Sequence, residues 1–597
     1  GRNPYVGYDN EESEPFLFTG ITDGRAASKL RVVGVDRGDA AIAFSLDAVS
    51  DGQAKATNTV VGNDAIVIFW KAGQASALDS EVEAWVVVNP TDGSYVVAFW
   101  QQDRWSNGGC RGNVAGTSSD GGSSWSIVPV PGITECTGGP WERASDPWLS
   151  FGPDGTLHQM SLVFQVDPPP DRVAGFGPNG MAVSKSEDGG LTWSDPILLI
   201  EDDDPRILND KNSLAADPTD ANYVYAVWDR LKITSAEAID PENVRPGRGL
   251  FLGIGLGFKG PIYFTRSTDG GDSWEKARSI YDPGGNNQTI GNQIVVQPDG
   301  TVIDFFTEIL NFKNNDQNGR GFNFNLALFR SDDKGETWRP RNKPIRAARI
   351  FSSFGAVTPD LGIPVRDGSI LFDVAVDSGN GNLYAVWQDV RFNNIEEVAF
   401  SMSTDGGFTW SEPIKINQTP DDIALLRRQA FLPSVAVNGQ GDVGVTYYDF
   451  RNDSDSPVEL ADHWFVYCEA NCSDPASWVN NELRLTDDSF DYVPAPFAGG
   501  LFLGDYVGLD ADDTDFLAFF QKSSMDDPAD GCFERSANFV EVYRSRSIDG
   551  GELFTNSGET TFYFCPGDGL PDVHGQRGWA AGVPGRAAAV AGDEGGL

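Results

Sequence analysis

The feature that most constrains the fold is a short motif, Ser-x-Asp-x-Gly-x-x-Trp, which recurs at nearly even intervals along the chain. Internal repetition indicates that one structural unit is used several times. The Ser and Asp side chains suit hydrogen bonding to nearby backbone groups in a tight turn, and the Gly permits a positive φ angle. The Trp begins the next strand and can bury its ring between units. Intact copies begin at Ser118, Ser186, Ser267, Ser331 and Ser403.

Two degenerate copies complete the series. The copy at Ser547 ends in Phe554 instead of Trp, and the segment 471–478 keeps Trp478 but lacks the Gly. The copies then start roughly 64 to 81 residues apart, which is about one four-stranded antiparallel unit with its loops. We therefore expect seven units, or six if the segment 471–478 is not one of them.

A pair of apolar strands precedes most copies of the motif. Residues 85–100, 213–228, 374–387 and 435–447 each contain two such strands, joined by a turn rich in Asn, Asp and Gly. Near-continuous apolar strands are typical of strands that are buried on both faces. These residues are therefore predicted to form the inner part of each sheet.

The motif resembles the Asp-box, or BNR, repeat of the sialidase-like β-propeller superfamily, and the resemblance covers roughly residues 80–565. It implies an all-β fold, a β-propeller of four-stranded antiparallel blades, with seven blades favoured over six. Residues 76–565 are expected to form the propeller. Residues 1–75 lack the motif and are expected to form an irregular segment or strands that close the ring. Residues 566–597 are expected to be a flexible tail rich in Gly and Ala.

The balance of charge excludes some partners. The chain has 87 Asp and Glu against 44 Lys and Arg, a formal net charge of −43. Such a surface repels phosphate backbones, so nucleic acid is not expected as a partner. The sequence contains no apolar run long enough for a membrane span. Acidic runs such as 201–204 and 510–515 either form a solvated surface or hold structural Ca²⁺, and no cofactor is expected to be required.

The six Cys residues fall into local pairs, Cys110 with Cys136, Cys468 with Cys472, and Cys532 with Cys565. Their even number predicts three local disulfides, which form in oxidising compartments. The chain is therefore expected to be secreted or displayed at the cell surface. The sequence has 3 His and no Cys/His spacing typical of a zinc site.

The resemblance also implies where chemistry would lie. In this superfamily the active site is on the face opposite to the motif turns, where second strands end and first strands begin. A sialidase uses three Arg on the substrate carboxylate, an Asp as acid/base, and a Tyr nucleophile paired with a Glu. Tyr506 and Glu308 are the candidates for the Tyr/Glu pair, and Asp146 or Asp210 for the acid/base. Asp505 is a further catalytic candidate, and the candidates for substrate binding are Arg104, Arg230, Arg391, Arg428 and Arg451.

Three functions remain open. The first is a sialidase-like exo-glycoside hydrolase that acts on an acidic sugar, with a carbohydrate or glycoconjugate as its partner. The second is a non-catalytic extracellular propeller that binds glycan or protein, and the third is a polysaccharide lyase or another propeller glycanase. Two features depart from the sialidase pattern: the Phe/Tyr-Arg-Ile-Pro element is not found, and Asp/Arg pairs recur in four blades, as structural bridges would. Fold alone does not choose among the three.

Overall fold

The computed structural model describes residues 80–524, with gaps at 106–107, 167–176, 235–256, 312, 314–321, 354 and 455–457, and the backbone of short strands within 32–70 and 539–573. The chain divides into two compact units. In the smaller unit, which comprises residues 1–76, 105–107 and 242–255, the described strands form two antiparallel hairpins. These hairpins pair Val32–Asp36 with Ala41–Ser45, and Lys55–Val61 with Asp64–Trp70.

The larger unit is a succession of antiparallel meanders, in each of which four strands pair in chain order. We number the meanders of the described chain from one to seven. The first three are Val82–Val88, Val96–Arg104, Cys110–Ser118 and Ser126–Pro129; Arg143–Phe151, Leu157–Phe164, Asn179–Ser186 and Ile197–Asp202; and Ile207–Ala216, Val224–Ile233, Ile262–Ser267 and Arg278–Tyr281. The fourth and fifth are Gln288–Val296, Val302–Leu310, Asn323–Ser331 and Ile345–Ile350; and Phe372–Val376, Leu383–Asp389, Glu397–Ser403 and Ile414–Lys415. The last two are Ala430–Val437, Val443–Asp449, Leu460–Cys468 and Glu482–Arg484; and Gly508–Ala511, Phe516–Ser524, Phe539–Ser547 and Phe554–Thr555.

A few short elements accompany the meanders. The strands Phe258–Lys259, Phe490–Asp491 and Glu559–Thr560 each add to one meander, and Phe564–Cys565 pairs with Asp572–Val573. The helical segments of the described chain are short 3₁₀ turns, among them Glu135–Thr137, Leu425–Arg428 and Pro475–Trp478.

The first strands of the meanders face one another around a common axis. Each first strand contacts the first strand of the next meander, and that of the seventh contacts that of the first. Val88 N–H donates to Asp510 Oδ2 at 2.7 Å across this closing contact. The first and second meanders are also joined into one eight-stranded sheet by the single pair Cys110 and Ala144. The described chain is therefore an all-β β-propeller with four-stranded antiparallel blades.

The Ser-x-Asp-x-Gly turns form the hydrogen bonds expected of them. Ser118 Oγ accepts from the backbone N–H of Gly122 at 2.7 Å and donates to Asp120 Oδ1 at 2.8 Å. The Asp120 carboxylate accepts in turn from the backbone N–H and the hydroxyl of Ser124, at 2.8 and 2.7 Å. Gly122 has a φ angle of +83°, which a residue with a Cβ rarely adopts. The same two hydrogen bonds, from the Ser hydroxyl to the Asp carboxylate and from the Gly N–H to the Ser Oγ, recur at Ser186, Ser267, Ser331 and Ser403.

Five Trp residues of the repeats pack in equivalent positions, each against an aromatic ring of the preceding meander. Trp478 of the degenerate segment makes the same contact and is fully buried, so this segment occupies the place of an intact motif. Trp125 of the first meander packs on Phe519 of the seventh. The pairs, with ring centroids between 4.9 and 6.5 Å apart, are Trp125–Phe519, Trp193–Phe99, Trp338–Phe264, Trp410–Phe305 and Trp478–Phe400.

Five first strands share an irregularity, a β-bulge near the axis. The pairing register of these strands shifts, and a residue at each shift has a φ angle between +46° and +69°. A bulge bends a strand and redirects its side chains. The bulges therefore bring polar side chains of different meanders together at the axis. The residues with positive φ are Glu83, Asp146, Lys211, Gly291 and Leu432.

The cysteines only partly follow the prediction of three local disulfides. Cys468 and Cys472 form a disulfide, as expected. Cys110 and Cys136 are both free thiols, so that predicted pair is wrong. The reason is that Cys110 is buried at the start of a strand, with its Sγ 3.2 Å from the carbonyl oxygen of Ala144. The predicted pair of Cys532 and Cys565 lies outside the residues whose side chains are described.

Candidate functional site

The first strands surround a cavity of about 580 Å³, a volume that includes its open mouth. Its lining comes from the second to the seventh meanders and from the segment before the fifth. This arrangement agrees with the expectation that the starts of first strands open onto one face. The polar lining includes Lys211, Asn212, Asn292, Gln293, Asp367, Asp373, Gln388, Ser434 and Asp505, and the aromatic lining is Trp148, Phe372 and Tyr506.

Lys211 lies among three carboxylates that come from three different parts of the ring. Its Nζ is 2.7 Å from Asp505 Oδ2, 2.9 Å from Asp146 Oδ1 and 3.3 Å from Glu83 Oε1. The Lys211 side chain is 10% exposed, and the three carboxylates are buried. We call Glu83, Asp146, Lys211 and Asp505 the lysine cluster. The positive φ angles at Glu83, Asp146 and Lys211 show that the bulges direct these side chains to one point.

Burial and neighbouring charges separate the pKa values in and beside the lysine cluster. Burial raises the pKa of Glu83 from 4.5 to about 7, although Lys211 opposes this. Burial also raises the pKa of the adjacent Asp210, to about 6. Asp505 is buried as well, but Arg366 and Lys211 outweigh burial and hold its pKa well below the ordinary value. Asp505 is therefore ionised at neutral pH, whereas Glu83 and Asp210 titrate close to neutral pH.

Two arginines add positive charge next to the lysine cluster. Arg366 donates from Nε and Nη2 to the two oxygens of Asp505, at 3.0 and 2.5 Å. The guanidinium groups of Arg366 and Arg104 lie over the ring of Phe502, 4.5 and 4.7 Å from its centroid. Burial, and then the charge of Arg366, lowers the pKa of Arg104 to about 10. The structure thus places Arg104, a sequence candidate, close to Asp505.

Asp367 is a second carboxyl group on the cavity wall. Its Oδ2 accepts from the backbone N–H of Ala356 at 2.7 Å and from Gln388 Nε2 at 2.9 Å. Burial, and then the charge of Glu396, raises the pKa of Asp367 to about 7. Asp367 therefore keeps its proton up to about neutral pH, whereas Asp505 does not.

Three aromatic rings flank the lysine cluster. Trp85 stacks on Trp148, with ring centroids 3.7 Å apart, and Tyr506 meets both rings edge-on. Tyr506 donates its hydroxyl hydrogen to the carbonyl oxygen of Pro147 at 3.1 Å, and burial raises the pKa of Tyr506 well above its ordinary value. In this arrangement a backbone carbonyl group holds the Tyr506 hydroxyl, and the Tyr506 ring packs against Trp85 and Trp148 at the cavity wall.

The predicted pairing of Tyr506 with Glu308 is not formed. Glu308 instead accepts from the hydroxyl of Tyr281 at 2.8 Å and from Arg346 Nε at 2.7 Å. The reason is geometric: Glu308 is near the end of a second strand of the fourth meander, and it faces the outermost strand of the third. Asp146 and Asp505, in contrast, meet at Lys211, and Asp210 is the residue next to it.

The other four arginine candidates do not converge on the cavity, because each arginine is paired with a carboxylate in its own neighbourhood. They are Arg230, Arg391, Arg428 and Arg451. Arg230 Nη2 lies 2.5 Å from Asp202 Oδ1, a contact that bridges the third and second meanders. Among the described residues, these four arginine candidates therefore do not form a cluster at the cavity. The remaining pairs are Arg391–Asp389 at 2.8 Å, Arg428–Asp421 at 2.6 Å, and Arg451 with Asp449 and with Glu482 at 2.5 Å.

Four residues of the site were not among the sequence candidates: Glu83, Lys211, Arg366 and Asp367. Glu83 and Lys211 carry a signal in retrospect, since each lies in the first half of a first strand, as Asp146 does. Arg366 and Asp367 lie in a segment between two meanders that has no counterpart in the repeat, so no pattern points to them.

Neither a metal-binding cluster of His, Cys and acidic side chains nor a membrane-spanning helix lies within the described residues. Among them, no group of three or more His, Cys, Asp or Glu side chains is arranged to hold a metal ion. None of the helices that the structure describes is long and apolar enough to cross a bilayer.

Comparisons with known proteins find similarity over parts of this chain. Residues 1–125 match a family model described as a protein of unknown function (DUF3179). A sialidase of Bacteroides fragilis (strain YCH46) is 32% identical over 109 residues, which are 16% of this chain and 19% of the sialidase. A xyloglucanase of a Paenibacillus species is 28% identical over 196 residues, 31% of this chain and 17% of that protein.

This chain therefore spans less than a fifth of the length of these two relatives. Among solved structures, the α-L-arabinofuranosidase Arb93A of Fusarium graminearum has a TM-score of 0.38 at 13% identity. That alignment covers 63% of this chain and 92% of the arabinofuranosidase chain.

Proposed function

We propose that the protein is a secreted, carbohydrate-active propeller that hydrolyses a glycosidic bond in its axial cavity. The observation that carries this proposal is the pair of carboxyl groups with opposite protonation, Asp367 and Asp505, which line the same cavity. Glycosidases need one carboxylic acid that donates a proton to the leaving oxygen and one carboxylate that stabilises the positive charge or activates water. With its pKa of about 7, Asp367 fits the donor, and the ionised Asp505 fits the carboxylate.

The neighbouring groups suit a sugar that carries an acidic group. Arg366 and Arg104 lie beside Asp505, and guanidinium groups recognise carboxylates with paired hydrogen bonds. Trp148 offers an aromatic surface for a pyranose ring. Exo-hydrolysis of an acidic sugar is therefore the finer form of the proposal, and the local identity with a sialidase agrees with it.

The experiment is a screen of fluorogenic glycosides, including sialosides, uronides and arabinofuranosides, and of anionic polysaccharides and xyloglucan. Asp367→Asn and Asp505→Asn are each expected to lower turnover of the active substrate by about 10²–10⁴-fold. Asp272→Asn is the matched control, because Asp272 is 69% exposed and pairs only with Lys185 among its described contacts. Full activity of Asp367→Asn in a folded protein would overturn the assignment of the proton donor.

A second candidate is a glycan-binding propeller without catalysis. The observation in its favour is that both oxygens of Asp505 are already bound by Arg366 and Lys211. This candidate predicts that sugars bind without turnover and that Asp505→Asn lowers affinity. Absence of turnover across the screen, together with saturable binding of one glycan, would favour it over hydrolysis.

A further inference from the structure

A group of buried oxygen atoms without hydrogen-bond partners lies between the third and fourth meanders. Asp304, in the second strand of the fourth meander, is fully buried, and neither carboxylate oxygen accepts a hydrogen bond. Asn292 Oδ1 and Ser213 Oγ also lack a partner, and both residues are 1% exposed. Each buried polar atom left unpaired costs free energy. Several of them in one interface therefore point to a ligand that satisfies them together.

The register of the fourth meander directs the Asp304 carboxylate into this interface. Asp304 pairs with Ile294 on one side and with Phe329 on the other. Both of these neighbours pack into the core between the third and fourth meanders. Because residues paired directly across neighbouring strands lie on the same face of a sheet, the Asp304 side chain faces that core as well.

Asn292 and Ser213 face the same interface from the two first strands. The Asn292 amide donates from Nδ2 to Asp229 Oδ1 of the third meander, at 2.6 Å. Ser213 pairs with Val227, whose side chain belongs to the same core. Asp229 contributes a second carboxyl group near Asp304: burial, and then the charge of Asp229, raises the pKa of Asp304 well above its ordinary value.

The chemistry of these atoms favours a cation over water. All four unpaired atoms are oxygens, the type of atom that a hard cation binds. A water molecule donates two hydrogen bonds, so a single water would leave acceptors unmatched. A hard divalent cation binds several oxygens at once and balances two carboxylates. We propose that this interface holds a divalent cation of the Ca²⁺ type, bound by Asp304, Asn292 and Ser213 with Asp229 beside them.

The test compares the full chain, freed of metal with a chelator, before and after addition of Ca²⁺. At a Ca²⁺ concentration about a hundredfold above Kd, Tm is expected to rise by about 3 °C. Tb³⁺ is a second probe, since Trp228 is fully buried next to Asp229 and can sensitise its luminescence. Asp304→Asn keeps the shape of the side chain but removes its charge, and it is expected to abolish both the Tm shift and the luminescence. Ser213→Ala, which removes one neutral oxygen, is expected to weaken Ca²⁺ binding about tenfold.

Asp462→Asn is the matched control, because Asp462 is a buried carboxylate whose oxygens are bound by Arg484, Thr486 and Ser489. This control is expected to lower Tm but to keep the response to Ca²⁺. A wild-type chain without a Tm shift or sensitised luminescence would overturn the proposal. A Ca²⁺ response that both Asp304→Asn and Ser213→Ala retain would also overturn it, because the acidic surface would then be the binding site.

Discussion

Replacing Lys211 by Met tests whether the lysine cluster holds the axis of the propeller together. Removing one partner of a buried ion pair costs about 3–5 kcal/mol. Lys211 serves three carboxylates and is 10% exposed, so a loss of about 5 kcal/mol at neutral pH is expected. Lys185→Met is the matched control. It breaks a pair with Asp272, which is 69% exposed, and a pair of that kind contributes about 1 kcal/mol or less.

The loss in Lys211→Met is expected to depend on pH. In the wild type, Arg366 and Lys211 hold the folded-state pKa of Asp505 below its unfolded value, so this stabilisation is present at neutral pH and is lost as the pH falls. Without Lys211, burial raises the pKa of Glu83 further above its unfolded value. The folded variant then binds more protons than the unfolded chain and gains stability as the pH falls.

The free energies of unfolding of the wild type and of Lys211→Met should therefore differ less at pH 5 than at pH 8. Denaturation by urea, followed by Trp fluorescence at both pH values, measures the difference. An equal loss at the two pH values, or a loss no larger than that of Lys185→Met, would refute the reasoning.

Three further predictions concern single features. Burial raises the pKa of Glu83 from 4.5 to about 7. Protonated Glu83 therefore stabilises the fold below pH 4.5, and this stabilisation is lost as the pH rises to 7. Glu83→Gln should remove about 3 kcal/mol of the resulting decline in the free energy of unfolding, as measured by denaturation at pH 5 and 8. Reduction of the disulfide between Cys468 and Cys472 should lower stability by about 2 kcal/mol, since it closes a short loop, and denaturation with and without reductant tests this. Trp478→Ala should lower stability by about 3–5 kcal/mol, and Trp193→Ala by clearly less, because Trp478 is fully buried and Trp193 only half-buried. Equal losses of stability in thermal unfolding would contradict the role given to the degenerate motif.

The fold class could be predicted because the chain repeats its own local chemistry. The turn at Ser118 needs a hydroxyl, a carboxylate and a Gly at fixed positions, and these needs are visible in the sequence. The Trp478 segment was identifiable by spacing, although it had lost its Gly. Both features depend on contacts within one unit or with the unit before it.

The site was less predictable because its residues come from distant parts of the chain. Asp146, Asp210 and Asp505 were candidates, since strand starts face the axis in a propeller. Arg366 and Asp367 escaped notice because their segment follows no repeat. The pairing of Glu308 with Tyr281 depends on how two neighbouring meanders pack, and neither residue's own strand encodes that contact.

The closing contact between Val88 and Asp510 has a consequence for synthesis. These two residues are 422 positions apart, so the ribosome makes nearly the whole propeller before the first blade meets its last neighbour. At 5–20 residues per second this delay is roughly 20 to 80 s. Throughout it, the apolar face of the first meander lacks the seventh meander that packs on it in the folded propeller, so chaperones would bind there first and truncated products would aggregate through it.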